Sequence, residues 1–154
     1  MKRKLIILMF ISLIIFILIG SFVINNKIFK INGHSMNPTL YEGDYVICNK
    51  NFQLKRYDII AFKLNNQNTI KRVIGLPNET IDIDDDGNVY IDGKKLEEDY
   101  LTSKYKGMVE TPLPYKIPSN KYFVLGDNRK DSYDSRNIKV EGIDLDKIMC
   151  KVIK

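Results

Sequence analysis

The chain has 154 residues, 44% of them apolar, with 24 Lys and Arg against 19 Asp and Glu. That length holds one compact domain and an anchor but not two full domains. Three of the bases fall in the first four residues and all the acids lie far beyond them, so the remainder carries 21 bases against 19 acids, a net of +2. This excludes the concentrated basic face of a nucleic-acid binder.

Leu5 to Ile24 form a run of 20 uncharged residues broken only by Ser12, Gly20 and Ser21. As a helix it rises about 30 Å, enough to cross the hydrocarbon core of a bilayer. Lys2, Arg3 and Lys4 precede it, and the positive-inside bias predicts a cytoplasmic N-terminus with everything after Ile24 on the outer side of the plasma membrane. A cleavable leader has a shorter apolar core followed by small residues at the cut; this run is longer and no A-x-A-like site follows it. The expected organisation is a cytoplasmic tail over 1–4, a single-pass anchor over 5–24, a connector over 25–31 and an extracytoplasmic catalytic domain over 32–154. Lys27 and Lys30 stand where they can touch anionic head groups.

Beyond the connector, short β-branched and aromatic runs alternate with turn residues. Strands are expected at 44–48, 58–63, 69–74, 80–83, 88–92, 121–126 and 147–153. With no long amphipathic helix among them, the domain reads as mainly β, in packed sheets or a partly open barrel. A β extension or flap is expected over 77–120; within it 97–119, holding Pro112, Pro114 and Pro118, reads as surface loop. Asp82 to Gly87 matches the opening of an EF-hand calcium loop, but the position that needs a bidentate glutamate is Gly93. A solvated hairpin turn is the better reading, and no calcium, other metal or cofactor is expected. Cys48 and Cys150, 102 positions apart, would meet an oxidising compartment where a disulfide is permitted; the default reading is two small buried residues.

Three segments carry the chemistry. In Gly33-His34-Ser35-Met36-Asn37-Pro38-Thr39 a serine sits between a glycine and a proline just outside the membrane, where a tight backbone can present its hydroxyl and its own N–H. The hydroxyl needs a base to attack an amide. His34 is adjacent, and neighbours in extended chain point to opposite faces, which disfavours a Ser-His-Asp triad. Lys71, within Thr69-Ile70-Lys71-Arg72-Val73-Ile74, can serve if burial keeps its amine neutral, with Arg72 on the opposite face. On spacing alone, the plainer reading is that both are solvated charges on an edge strand. Gly126 to Arg136 is dense in short polar and guanidinium side chains directly after a hydrophobic strand, as in a loop packed beside an active site.

Together these segments resemble the type I, Ser/Lys, signal peptidases. Gly33 to Leu40 resembles their G-x-S-M-x-P-T box, Glu42 to Val46 their G-D-x-V strand, Ile70 to Pro77 their lysine box, and Gly126 to Arg136 their G-D-N-R-x-x-S-x-D-S-R box, in family order behind one anchor. The resemblance implies a membrane-bound serine endopeptidase that removes signal peptides through an acyl-enzyme. Ser35 would be nucleophile, Lys71 general base, Ser132 the hydroxyl that orients Lys71, and the Ser35 N–H an oxyanion donor. Asp127, Asp134, Arg72 and Arg136 would be structural ion-pair partners. Implied partners are signal peptides of exported preproteins, membrane lipid and the secretion translocon. Gly33 lacks a hydroxyl that some members use at the oxyanion, and Asn78 stands where the lysine box usually has glycine. Asparagine tolerates left-handed backbone, so that turn should survive. The alternatives are a self-cleaving repressor-type Ser/Lys peptidase, which would carry a DNA-binding domain where this chain has an apolar span, and a non-catalytic signal-peptidase-like assembly factor, which loss of Ser35 or Lys71 would favour.

Overall fold

The computed structural model describes residues 2–153. Helix α1 (Lys2–Asn25) is long and apolar enough to cross a membrane, and its apolar window is nowhere buried against the rest of the chain. Strand β1 (Asn26–Lys30) follows at once. The connector expected over 25–31 is therefore mostly an edge strand, paired antiparallel with β2 (Tyr45–Asn49) from Asn26↔Asn49 to Lys30↔Tyr45. The junction is locked: Lys50 N donates to Asn25 O at 2.8 Å, and Lys50 Nζ to Ile24 O at 2.7 Å.

The remaining strands are β3 (Ile59–Leu64), β4 (Gln67–Gly75), β5 (Thr80–Ile83), β6 (Val89–Ile91), β7 (Lys94–Lys95), β8 (Tyr115–Lys116), β9 (Lys121–Leu125), β10 (Ile143–Asp144) and β11 (Ile148–Val152). They form two antiparallel sheets, ordered β1-β2-β11-β3-β4-β9-β10 and β7-β6-β5-β8, so the mainly β expectation is met as a pair of sheets. The turn between β3 and β4 is Asn65-Asn66, both left-handed at φ 49° and 64°. This is a conformation asparagine tolerates and two-residue hairpins require. Asn78, at φ 67°, keeps the turn after β4 as expected.

On β9, Phe123 and Leu125 enter the core shared with Ile81, Ile83, Val89 and Ile91 of the small sheet, whereas Val124 joins Ile60, Phe62 and Val73. The strand is thus covered on both faces, and its sequence reads as continuously apolar for that reason. The Asp82–Gly87 segment is a hairpin turn: Asp84 accepts from the Asn88 N–H and Nδ2 and from the Tyr90 hydroxyl. The stretch 97–119, read as surface loop, also contributes to the interior, because Glu98, Thr111 and Ile117 are buried.

Cys48 and Cys150 are both buried, as expected, but they are joined in a disulfide between β2 and β11. Two cysteines at this separation give no geometric signal in sequence; the pairing comes from the sheet order, which sets β11 beside β2. The bridge packs with Ala61, Phe29 and Ile70. Replacing both cysteines with alanine should lower unfolding free energy by about 2–5 kcal/mol, read from denaturant melts of the oxidised chain and the double variant. Coincident melts would show that the bridge contributes nothing.

Candidate active site

After β1 the chain turns back to β2 through a loop fixed by Ile31 N donating to Asp44 O (2.8 Å) and Gly43 N donating to Ile31 O (2.9 Å). Gly33 is left-handed at φ 82°, and buried Met36 and Leu40 hold the loop to the core. Ser35, between these fixed points, is half-exposed to a cleft of about 860 Å³. One wall of the cleft is Phe29–Met36; the other is Leu64–Asn65 and Gln67–Lys71, with Asp131 and Tyr133 also lining it. β1 pairs only with β2, and β4 pairs with β9 only from Arg72 to Gly75. Both walls therefore present strand edges with unused backbone donors and acceptors.

Lys71 projects from β4 with 4% of its surface exposed. Its Nζ lies 2.7 Å from Ser35 Oγ and 3.1 Å from Ile70 O. Burial pushes its pKa below the ordinary lysine value, against the opposing pull of the Asp134 and Asp127 carboxylates. Neutral amine and hydroxyl at that distance are placed to pass a proton between them. His34 points elsewhere: its Nε2 lies 3.4 Å from Glu42 Oε2, both side chains more than half exposed.

The Gly126–Arg136 loop packs over the pair. Asn128 N donates to Ser35 O at 3.0 Å, and Asn128 Nδ2 to His34 O at 3.2 Å. Arg72, beside Lys71, turns the other way and forms a bidentate pair with Asp127, Nε–Oδ1 2.8 Å and Nη2–Oδ2 2.5 Å. Thr39 joins this pair by donating its hydroxyl to Asp127 Oδ2. Asp134 pairs with Arg136 (Nε–Oδ1 2.9 Å) and accepts from the Gly126 N–H at 3.0 Å. The structure thus brings Ser35, Lys71, Arg72, Asp127, Asp134 and Arg136 into one site.

Ser132 is the exception in detail. Its hydroxyl is buried and has no hydrogen-bond partner among the described residues, so the expected bond to Lys71 is not formed; Ser35 and Ile70 hold the amine instead. The Ser132 side chain packs against Gly126, where it crowds the space a Cβ would take. Sequence reasoning did not single out Thr39 or Asn128, although both lie inside the quoted motifs. It also missed Glu98 and Tyr100, which carry no local signal.

A serine hydroxyl joined to a buried lysine amine at the floor of an open, strand-edged cleft is the layout of a Ser/Lys hydrolase. Residues 2–153 match the family model described as signal peptidase, peptidase S26. The chain is 37% identical to signal peptidase I P of Bacillus subtilis subsp. natto, over 82% of this chain and 74% of that protein. It is 41% identical to signal peptidase I V of Bacillus subtilis (strain 168), over 71% and 74%. It also resembles the crystal structure of a signal peptidase I from Enterococcus faecalis V583, with TM-score 0.56 and 36% identity, over 67% of this chain and 98% of that one. The chain belongs to the signal peptidase family, peptidase S26, and is a serine peptidase by that membership.

A Cβ added at Gly126 would lie 2.2 Å from Ser132 Oγ and 2.6 Å from the Ser35 carbonyl oxygen. The second contact is backbone and cannot rotate away, so Gly126→Ala must push the loop off Ser35. Turnover should fall about 100-fold, the scale of a 1 Å misplacement, with an unchanged circular dichroism spectrum. Wild-type turnover in this variant would mean that the loop tolerates displacement.

Proposed function

We propose that this chain removes signal peptides from exported preproteins by an acyl-enzyme mechanism, with Ser35 as nucleophile and Lys71 as general base. The observation that carries this reading is the 2.7 Å approach of a 4%-exposed lysine amine to the serine hydroxyl. The substrate lies extended in the cleft, using the free edges of β1 and of Gln67–Lys71 in β4 for backbone hydrogen bonds. Neutral Lys71 takes the proton from Ser35 Oγ as that oxygen attacks the scissile carbonyl. The lysine then gives the proton to the leaving amine, and the carbon–nitrogen bond breaks to leave an ester on Ser35. Lys71 next takes a proton from a water that attacks the ester, and returns it to Ser35 Oγ as the new carboxyl terminus departs.

The Ser35 N–H donates to no protein group among the described residues, which leaves it available to the oxyanion; one such donor is worth about 10²–10³ in rate. The Ser132 hydroxyl, buried on the covering loop, is the second acceptor for the Lys71 amine once Ser35 is acylated. Arg72, Asp127, Asp134 and Arg136 hold the loop in place. Small side chains before the cut are what the family resemblance implies, and Phe29, Ile31, Met36 and Ile70 give the cleft an apolar lining to receive them.

The anchor fits this substrate. α1 passes into β1 without a linker, and five strand residues reach only about 17 Å, so the cleft stands close to the outer membrane–water boundary. Enzyme and membrane-held precursor then share one surface, which raises their effective concentration. The orientation we propose is a cytoplasmic N-terminus and an extracytoplasmic catalytic domain, with Lys27 and Lys30 toward lipid head groups and the secretion translocon delivering precursors.

Ser35→Ala and Lys71→Ala should each abolish cleavage of a preprotein by the detergent-solubilised chain while leaving its thermal melt cooperative; processing by either variant would remove the dyad. Because the base must be neutral and burial lowers its pKa, kcat/KM should rise as pH passes through that depressed value. It should already be high below the ordinary lysine range. A profile flat from mildly acidic to alkaline pH would contradict a lysine base.

A further inference from the structure

The small sheet carries none of the reacting groups, yet the segment leaving it reaches into the site. After β7 the chain makes a turn at Glu98–Leu101, closed by Leu101 N donating to Glu98 O at 3.1 Å. Glu98 is 4% exposed and Arg129, its partner on the covering loop, 3%. Their ion pair has Arg129 Nη2 2.5 Å from Glu98 Oε1. The Tyr100 hydroxyl donates to the same carboxylate at 2.6 Å, and Arg129 Nε donates to Gly126 O at 3.1 Å. The Arg129 carbonyl in turn accepts from Arg136 Nη1 at 2.8 Å, and Asn128, one residue away, holds the Ser35 carbonyl. Tyr100 also lies under Arg72, whose guanidinium carbon is 4.1 Å from its ring centre. One turn of the small sheet therefore grips both the loop that covers Ser35 and the strand that carries Lys71.

Three further hydrogen bonds follow the same route. Glu110 N and Thr111 N donate to Arg136 O at 2.8 and 2.9 Å, and the Thr111 hydroxyl donates to Ser135 O at 2.9 Å. Burial and the Glu98 carboxylate both push the Tyr100 hydroxyl upward, which keeps it a neutral donor in this cluster.

We propose that Glu98, acting through its buried ion pair with Arg129, is a positioning residue for the Ser35–Lys71 pair, so that the small sheet is a working part of the catalytic site. The physical basis is charge burial. Arg129 cannot remain in a dry site without a countercharge, and Glu98 is the only carboxylate bonded to it among the described residues. Losing Glu98 drives Arg129 toward water and lifts the 126–136 loop with it. The four charged groups acting most strongly on Lys71, namely Asp134, Asp127, Arg136 and Asp131, all lie on that loop, and the loop is bonded to the backbone of Ser35 and His34 beside the amine. A lifted loop therefore wets the amine and makes it a poorer base at neutral pH.

This inference rests on the serine–lysine reading, and the test separates the two. Wild type, Ser35→Ala, Glu98→Gln and Glu98→Gln/Arg129→Gln full-length chains are compared in detergent micelles with one preprotein substrate. The readouts are thermal melts, kcat and KM separately, and kcat/KM against pH. Cleavage by wild type but not Ser35→Ala upholds the reading; the reverse removes it whatever Glu98 does. For folded Glu98→Gln, kcat should fall about 100-fold, with a much smaller change in KM, since Asp131 and Tyr133 of the loop line the cleft but the strand edges that hold the substrate backbone stay in place. The acidic limb of the profile should move to higher pH. Wild-type kcat with an unmoved limb overturns the inference, as does a loss of activity that only tracks the unfolded fraction. Should Glu98→Gln not fold, the double variant, which strands no charge but still loses the Arg129 bonds to Gly126 O and Glu98 that tether the loop, should show a smaller loss and a limb shift of the same sign; wild-type behaviour there overturns the inference equally.

Discussion

A lysine amine works as a base near neutral pH only where its surroundings make the charged form costly, and here that means keeping water from Lys71. Burial is the largest influence on this amine and favours the neutral form, whereas the nearby carboxylates of Asp134 and Asp127 favour the charged one. The site resolves the opposition by committing both carboxylates elsewhere. Asp127 is held bidentate by Arg72 and Asp134 by Arg136, and the Arg136 guanidinium offsets part of the pull these carboxylates exert on the amine. Buried ion pairs are weak sources of stability; in this fold they are better understood as fixing where a loop sits and where its charge goes.

This requirement explains the division of labour between the sheets. The large sheet supplies the cleft walls and the strand that carries Lys71, with the disulfide between β2 and β11 beneath Phe29 and Ile70. The covering loop supplies the dry roof. The small sheet, through Glu98 and Tyr100, ties that roof to Arg72. The helix that meets β1 without a linker sets the whole assembly at one end of an apolar span.

How much of this could be read from residues alone depended on whether the signal was local. Ser35 and Lys71 were singled out because their segments, in order with Gly126–Arg136, resemble the family's boxes; the apolar β residues around Lys71 alone left it open to be a solvated charge on an edge strand. Asn78 was legible because a left-handed turn has a residue preference. β1 was not, since Asn26–Lys30 is an exposed edge strand with two lysines, and its pairing partner lies 15 to 23 residues further on. Glu98 was hidden for a related reason. An acid in an aperiodic stretch looks solvated until the fold sets it beside an arginine 31 residues later. The cysteine bridge was invisible until sheet order brought β11 to β2. The Ser132 hydroxyl, without a partner among the described residues, shows the converse limit: motif position placed it at the site but did not fix its hydrogen bond.

The direct test of the central claim is the protonation of Lys71 itself. Lysines labelled with ¹³C at Cε in the Ser35→Ala chain can be titrated by NMR in micelles, with the Lys71 signal assigned by its loss in Lys71→Met. A titration well below the ordinary lysine value, moving toward that value when the 126–136 loop is displaced by Gly126→Ala, is what a solvent-shielded base requires. A Lys71 that titrates with the surface lysines would contradict it.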